Sequence, residues 1–167
     1  MSAVDVEKLY ELAGDEVENL AEELYKFDHL LHEQYEIKSF LINYLVEKSA
    51  RKEILDRLSQ EASPRFKQLL NLLWEKDLLH EFSWMAEQLI SLVEQRKKIK
   101  FVEIRTAFPL KSGELEDIVD ACGAKVRYNV IVDPELLGGF VIKYADGRVF
   151  DGSILGRLGQ LRTEMVK

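Results

Sequence analysis

Hydrophobic residues in roughly the first hundred positions recur with the spacing of α-helices. Val6, Leu9, Tyr10 and Ala13 stand at i, i+3, i+4 and i+7, which places them on one helix face. Five comparable stretches follow, at residues 17–31, 37–45, 54–58, 66–74 and 78–93. Before the fifth helix, Ser63 suits an N-cap and Pro64 suits the first helical position. Six helices joined by short loops predict a compact helical bundle.

The hydrophobic period changes after the basic residues 96–98. Alternating apolar and polar positions predict strands at residues 99–107, 126–132, 140–144 and 148–150. A short helix from Ser112 to Gly123 separates the first two strands. Asp146-Gly147 predicts a two-residue hairpin with a type I′ turn, and Ser153 is positioned to cap a last helix through Leu158 and Leu161.

The predicted fold class is therefore α+β. An N-terminal six-helix bundle, residues 1–97, precedes a small C-terminal α+β domain, residues 98–167, with a three- to four-stranded sheet. No internal repeat or low-complexity tract interrupts this layout.

Charge and composition narrow the classes of partner. The formal net charge is −7, which disfavours nucleic acid as the main partner and electrostatic docking on anionic lipid. No apolar run approaches the roughly 20 residues needed to cross a bilayer, so we expect no direct membrane insertion. The acidic N-terminus resembles neither a signal peptide nor a transit peptide. These features predict a soluble, cytoplasmic protein.

Candidate chemistry is sparse. His29 and His32 lie three residues apart on one predicted helix, but the third histidine, His80, is distant in sequence and no cysteine cluster supplies further metal ligands. The single cysteine, Cys122, has no nucleophile motif around it. Gly138-Gly139 leads into a strand and is not followed by the Lys-Ser/Thr of a phosphate loop. We therefore expect no catalytic residue, no metal and no cofactor.

Two C-terminal motifs carry a family resemblance. Residues 132–142 read VDPELLGGFVI and residues 150–158 read FDGSILGRL. Together they resemble the delta subunit family of F-type ATP synthases, known in mitochondria as the oligomycin-sensitivity-conferring protein. The positions that match the family pattern are Asp133, Pro134, Gly138, Gly139, Asp151, Ser153, Gly156 and Leu158.

The N-terminal half is similar to the same family, although its motifs are weaker. Residues 9–13, 39–41 and 66–73 resemble parts of the family's first, third and fifth helices. Some features depart from the family: the opening of the first helix is reduced, the usual arginine after the fifth helix is missing, and residues 110–133 form a shortened segment.

The resemblance implies a non-catalytic subunit of the peripheral stalk, or stator, that links the catalytic head to the b-type stalk and resists rotor torque during proton-driven ATP synthesis. The implied partners are the N-terminal helix of an alpha subunit, held by the helical domain, and the C-terminal part of the b-type subunits, held by the small domain. The implied location is the cytoplasmic face of the cell or thylakoid membrane. The helix faces that the resemblance assigns to the alpha-subunit groove comprise Val6, Leu9, Tyr10, Ala13, Phe66, Leu69, Leu70 and Leu73.

Two other functions are compatible with the sequence. A helical adaptor or regulator could use the same pair of domains, and would then not co-purify with the catalytic head. A small enzyme would need a polar pocket that joins Asp133, Arg157 or His80.

Overall fold

The chain divides into two compact units. A computed structural model of the protein describes residues 5–123, 125–154 and 156–157. The units are Met1–Val93 and Glu94–Lys167. The division falls four residues before the boundary expected from sequence, within a helix that continues to Lys97. The hydrophobic pattern locates the end of the helix. The boundary between the units lies instead where residues begin to contact the second unit more than the first.

In the described residues, six α-helices precede the first strand. Their bounds are α1 Val6–Ala13, α2 Val17–Glu33, α3 Tyr35–Ile42, α4 Lys48–Leu58, α5 Pro64–Glu75 and α6 Phe82–Lys97. Helix α3 ends three residues earlier than residues 37–45 predict, because Asn43 turns the chain and its side-chain oxygen accepts a hydrogen bond from the Leu45 amide. Leu45 is consequently 96% exposed.

The core of the helical unit is organised around three phenylalanines. Phe27 lies edge-on to Phe66 and Phe82, with ring centroids 5.4 Å and 5.2 Å apart. Phe66 and Phe82 also meet edge-on. Edge-to-face pairs at these separations add to the stabilisation from apolar burial. These rings therefore fix α2, α5 and α6 against one another.

Among its described residues, the second unit contains a four-stranded sheet and the helix α7. Their bounds are β1 Lys100–Thr106, α7 Ser112–Cys122, β2 Val126–Val132, β3 Phe140–Tyr144 and β4 Val149–Asp151. The strand order is β2-β1-β3-β4. β1 and β2 are parallel, and the other neighbours are antiparallel. Val102, Ile104 and Ile142 form the buried centre, against which the apolar side of α7 packs. The α+β class and the four strands are confirmed.

The β3–β4 hairpin differs from the predicted two-residue turn. Gly147 donates to the Tyr144 carbonyl, and the Tyr144 amide donates to the Arg148 carbonyl, so three residues form the loop. Gly147 has φ 87°, whereas Asp146 is not among the residues with positive φ. A three-residue loop needs positive φ only at its glycine, which spares Asp146 the steric cost of a type I′ turn. The predicted last helix, through Leu158 and Leu161, falls mainly outside the described residues.

Candidate helix-binding groove

Helix α5 forms one wall of an open apolar groove, and its start is fixed by a network of hydrogen bonds. The Ser63 hydroxyl oxygen accepts from the Phe66 amide at 3.2 Å, as an N-cap should. Glu23 on α2 accepts from both the Ser63 amide and the Ser63 hydroxyl at 2.6 Å. Pro64 occupies the first helical position. The cap therefore sets both the register and the direction of α5.

Helix α1 forms the opposite wall. Asp5 caps its start by accepting from the Lys8 amide, and this backbone hydrogen bond, with the Lys8 side chain, lowers the pKa of Asp5. At its end, Arg65 donates to the Leu12 and Ala13 carbonyls at 2.9 Å and 3.2 Å. Arg65 also pairs with Glu16. Cations stabilise the negative end of a helix, so Arg65 ties the end of α1 to the start of α5.

The cavity between these helices measures about 240 Å³. It is lined by Leu9, Leu12, Ala13, Leu20, Arg65, Gln68, Leu69 and Leu72. Leu12 is 78% exposed and Leu72 is 48% exposed. A second cavity shares Leu20 and Arg65 with the first and is also lined by Glu16, Asn19, Ser63 and Pro64. Two exposed leucines facing one open cavity are typical of a surface that receives an apolar partner.

The eight residues that the resemblance assigned to the groove separate into three groups. Leu9, Ala13 and Leu69 line the cavity. Val6 and Tyr10 are half-buried and are not among its lining residues. The remaining three are core residues at most 2% exposed, namely Phe66, Leu70 and Leu73. The structure therefore places Phe66 in the core of the helical unit, where its ring packs edge-on against Phe27 and Phe82, and not in the lining of this cavity.

The sequence interpretation included Leu69 but missed the other three residues that line the groove on α5. Arg65, Gln68, Leu69 and Leu72 stand at i, i+3, i+4 and i+7, a stripe beside the core stripe. Two of the four are polar, so the stripe has no hydrophobic period to detect. Leu72 could have indicated the groove, because it is a leucine that lies outside the core stripe of α5. Leu12 stands outside the core stripe of α1 in the same way.

The residues of the first C-terminal motif form a packed corner in the small unit. Asp133 accepts from the Glu135 amide at 3.0 Å and lies 3.5 Å from Arg105. Arg105 also pairs with the fully buried Glu103. A buried carboxylate needs such a partner. Asp133 therefore orders the turn that contains Pro134 and links it to the central strand.

Gly138 and Gly139 pack directly against the second motif. The Gly138 carbonyl accepts from the Ile154 amide at 3.0 Å. Gly139 has φ 80°, and a Cβ added there would meet the Gly152 carbonyl and lie 2.9 Å from the Ser153 Cα. Only glycine tolerates both the backbone conformation and the close approach. The two motifs are thus halves of one structural contact.

Asp151, Ser153 and Gly156 build the turn on the other side of that contact. Asp151 accepts from the Ser153 amide at 2.9 Å, and the Ser153 hydroxyl oxygen accepts from the Gly156 amide at 3.0 Å. Hydrogen bonds from the Ser153 side chain and then its backbone lower the pKa of Asp151. Leu158 lies outside the described residues.

Within the part of the chain that the structure describes, no three histidine, cysteine or acidic side chains are grouped as metal ligands. His29 and His32 instead lie beside carboxylates of their own helix, Glu33 and Asp28 respectively. None of the helices among the described residues is long and apolar enough to cross a membrane.

Comparison with known proteins agrees with the motif analysis. The family model described as ATP synthase delta (OSCP) subunit matches residues 7–165. The chain is 30% identical to ATP synthase subunit delta of Carboxydothermus hydrogenoformans over 165 residues, which covers 92% of this chain and 90% of that protein. It is 36% identical to ATP synthase subunit delta of Cupriavidus taiwanensis over 115 residues, which covers 66% of this chain and 63% of that protein.

A solved structure extends the likeness to the fold. A chain in the cryo-EM structure of the Toxoplasma gondii mitochondrial ATP synthase hexamer superimposes with a TM-score of 0.54 and 20% identity. The match covers 97% of this chain and 95% of that chain. Because the family model matches nearly the whole sequence, this protein belongs to the ATP synthase delta (OSCP) subunit family, whose members are non-catalytic structural subunits of the complex.

Proposed function

We propose that this chain is a stator component that ties the catalytic head of an F-type ATP synthase to its b-type peripheral stalk. It resists rotor torque during proton-driven ATP synthesis by holding two neighbours at once, and it makes or breaks no covalent bond. It works at the cytoplasmic face of the membrane as a peripheral part of the complex, held there by its partners.

The six N-terminal helices act as one bundle whose groove binds the N-terminal helix of an alpha subunit. The observation that carries this proposal is the pair of exposed leucines, Leu12 and Leu72, at a cavity between α1 and α5. An amphipathic helix laid in the groove would bury both, and full burial of a leucine contributes about 1.5–3 kcal/mol. Nanomolar affinity corresponds to a binding free energy of about −12 kcal/mol. A few such buried leucines, together with the contacts around them, are enough to reach that affinity.

The small unit, Glu94–Lys167, binds the C-terminal part of the b-type subunits. Two binding units on one chain raise the effective concentration of each partner at its site, provided that both sites can be occupied together. A stator gains from this arrangement, because one contact can reform while the other still holds. The packed corner of Gly139 and Ser153 supports a structural role for the family motifs in this unit.

A bridging experiment tests the proposed function. Catalytic heads stripped of their delta subunit are mixed with the cognate b-type stalk, with or without this chain, and sedimented. We expect the stalk to sediment with the head only when the chain is present, and the chain alone to hydrolyse no ATP. If the chain binds neither component, it functions as an adaptor elsewhere and the proposal is wrong.

A further inference from the structure

The two helices that form the groove of the helical unit are held in place to different extents. Among the described residues, α5 buries five of its twelve residues and α2 buries six of its seventeen. Helix α1, whose eight residues are all described, buries only Ala13. Helices shorter than about 12–15 residues are marginal in water unless tertiary packing supports them. Helix α1 is therefore the less stable wall of the groove.

The backbone separates α1 from the longer helix that follows it. Helix α1 ends at Gly14, whose φ is 55°, and the 3₁₀ turn Gly14–Glu16 lies between α1 and α2. Helical stability spreads along an unbroken ladder of backbone hydrogen bonds. Because this ladder is interrupted at Gly14, α2 cannot stabilise α1 through the backbone, and side-chain contacts have to do so.

The apolar side chains of α1 can take up a further packing partner. Leu12 is 78% exposed and Leu9 is half-buried, and both line the cavity. An apolar helix lying in the groove would cover both of them, and would thereby give α1 the burial that it lacks in the free chain. A ligand that binds only one of two states shifts the equilibrium towards that state. Occupation of the groove and stability of α1 are therefore linked.

Arg65 joins this weakly packed helix to the well-packed one. It is the second residue of α5, whose start is fixed by the Ser63 cap. One of its guanidinium nitrogens donates to the Leu12 and Ala13 carbonyls at 2.9 Å and 3.2 Å, and another pairs with Glu16. The Arg65 side chain is 47% exposed, so water competes for each of these bonds. The contact can therefore hold α1 closed and can also release it.

We propose that α1 opens and closes in the free chain, and that Arg65 is the positioning residue that sets how often it is closed. Leu9 and Leu12 line the groove only in the closed state. The apparent Kd for the alpha-subunit helix is then the Kd of the closed chain divided by the closed fraction. The partner in this inference rests on the proposed function, whereas the opening of α1 is a property of the free chain.

Hydrogen exchange of the full chain without a partner, followed by mass spectrometry, measures the opening of α1 directly. The amides of residues 9–13 should be at least about tenfold less protected than those in the middle of α5. Arg65→Gln should lower the protection of α1 by a further factor of about 3–10 and leave that of α5 unchanged. Gln68→Ala is the control, because Gln68 lines the same cavity from α5; it should leave the exchange of α1 unchanged.

A pair of variants at Glu11 separates the closing of α1 from direct contact with a partner. Glu11 is exposed and is not among the residues that line the cavity. Glu11→Ala and Glu11→Gly remove the same charge, but glycine disfavours the helix about fivefold more than alanine does. Both are made with and without Arg65→Gln, and binding of a peptide copied from the N-terminus of the cognate alpha subunit is measured by calorimetry.

The effect of glycine should depend on Arg65. With Arg65→Gln, the Glu11→Gly chain should bind the peptide about 2–5-fold more weakly than the Glu11→Ala chain, because α1 is then often open. With Arg65 present the difference should be smaller, since α1 is mostly closed. A direct contact between Arg65 and the peptide would cancel in this comparison. Gln88→Ala and Gln88→Gly, the same pair at an exposed position of α6, should bind alike.

The outcomes distinguish failure of this inference from failure of the proposed function. If the amides of α1 are as protected as those of α5, or if the Glu11 pair differs equally with and without Arg65, the inference is overturned. Peptide binding by the unmodified chain would in that case leave the proposed function intact. If the unmodified chain does not bind the peptide, the head-binding half of the proposed function is wrong and the coupling of α1 to a partner fails with it.

Discussion

Replacing Gly139 by alanine should destabilise the small unit by two separable effects. The first is conformational, because φ 80° is a backbone conformation that costs an L-residue about 1–2 kcal/mol. The second is steric, because the new Cβ would meet the backbone of Gly152 and Ser153, and overpacking typically costs about 1–3 kcal/mol. Alanine also lowers the conformational entropy of the unfolded chain, which offsets about 0.4–1 kcal/mol of this destabilisation. The expected net loss is about 2–4 kcal/mol.

Gly147 offers a matched control within the same unit. Its φ of 87° is similar, but a Cβ there would have no neighbour within 4 Å. Gly147→Ala should therefore lose only the conformational part, a net cost on the order of 1 kcal/mol. The difference between the two variants isolates the close approach of the two family motifs.

Hydrogen exchange is the suitable assay for this comparison. Both tryptophans, Trp74 and Trp84, lie in the helical unit, so their fluorescence does not report on the sheet. Exchange of amides in β1 and β3, followed by mass spectrometry, gives the free energy of opening of the small unit. If Gly139→Ala and Gly147→Ala lower that free energy equally, the contact between the motifs contributes nothing and the reasoning is refuted.

Three further predictions concern the helical unit and the Asp151 turn. Ser63→Ala should cost about 1 kcal/mol in urea unfolding followed by tryptophan fluorescence, because it removes the cap of α5; an unchanged midpoint would contradict this. In the same assay, Phe66→Ala should lower the free energy of unfolding by about 3–5 kcal/mol, because it leaves a cavity in the core. Leu72→Ala should lower it by less than about 1 kcal/mol, because Leu72 is half-exposed. Equal losses would contradict the placement of Phe66 in the core. Asp151 has a lowered pKa, so its stabilising effect is present above its unfolded pKa of about 4 and is lost as pH falls through the folded value. The unmodified chain should therefore be more stable than Asp151→Asn at neutral pH, and this difference should disappear in acid. Stability is measured by hydrogen exchange at neutral pH and by thermal unfolding at acidic pH. A difference independent of pH would contradict this.

The fold was largely predictable because its elements bury one face each. The spacing of apolar residues and the Ser63-Pro64 signal predicted α5 correctly, and alternation predicted all four strands. The errors lie where local polar contacts decide the backbone. Asn43 ends α3 through a side-chain hydrogen bond, and a three-residue loop replaces the expected turn at Asp146.

The groove was less predictable than the fold for a physical reason. Hydrophobic periodicity finds the residues that a helix buries within its own unit, and Phe66, Leu70 and Leu73 belong to that class. A binding groove is formed by the neighbouring stripe, which must stay partly polar to remain soluble when empty. On α5, Leu72 therefore shares its stripe with the polar residues Arg65 and Gln68. Only the packing of α1 beside α5 brings Leu12 and Leu72 to the same cavity.

Titration of the full chain with the N-terminal peptide of its cognate alpha subunit tests the central claim most directly. Leu12→Ala and Leu72→Ala should each weaken binding by roughly 10–30-fold, the equivalent of about 1.4–2 kcal/mol of lost apolar burial. Leu45→Ala serves as control, because Leu45 is more exposed than either but lies away from the groove. Tight binding that only the two groove variants weaken is the predicted result; no binding by the unmodified chain, or equal weakening by all three variants, would contradict the account.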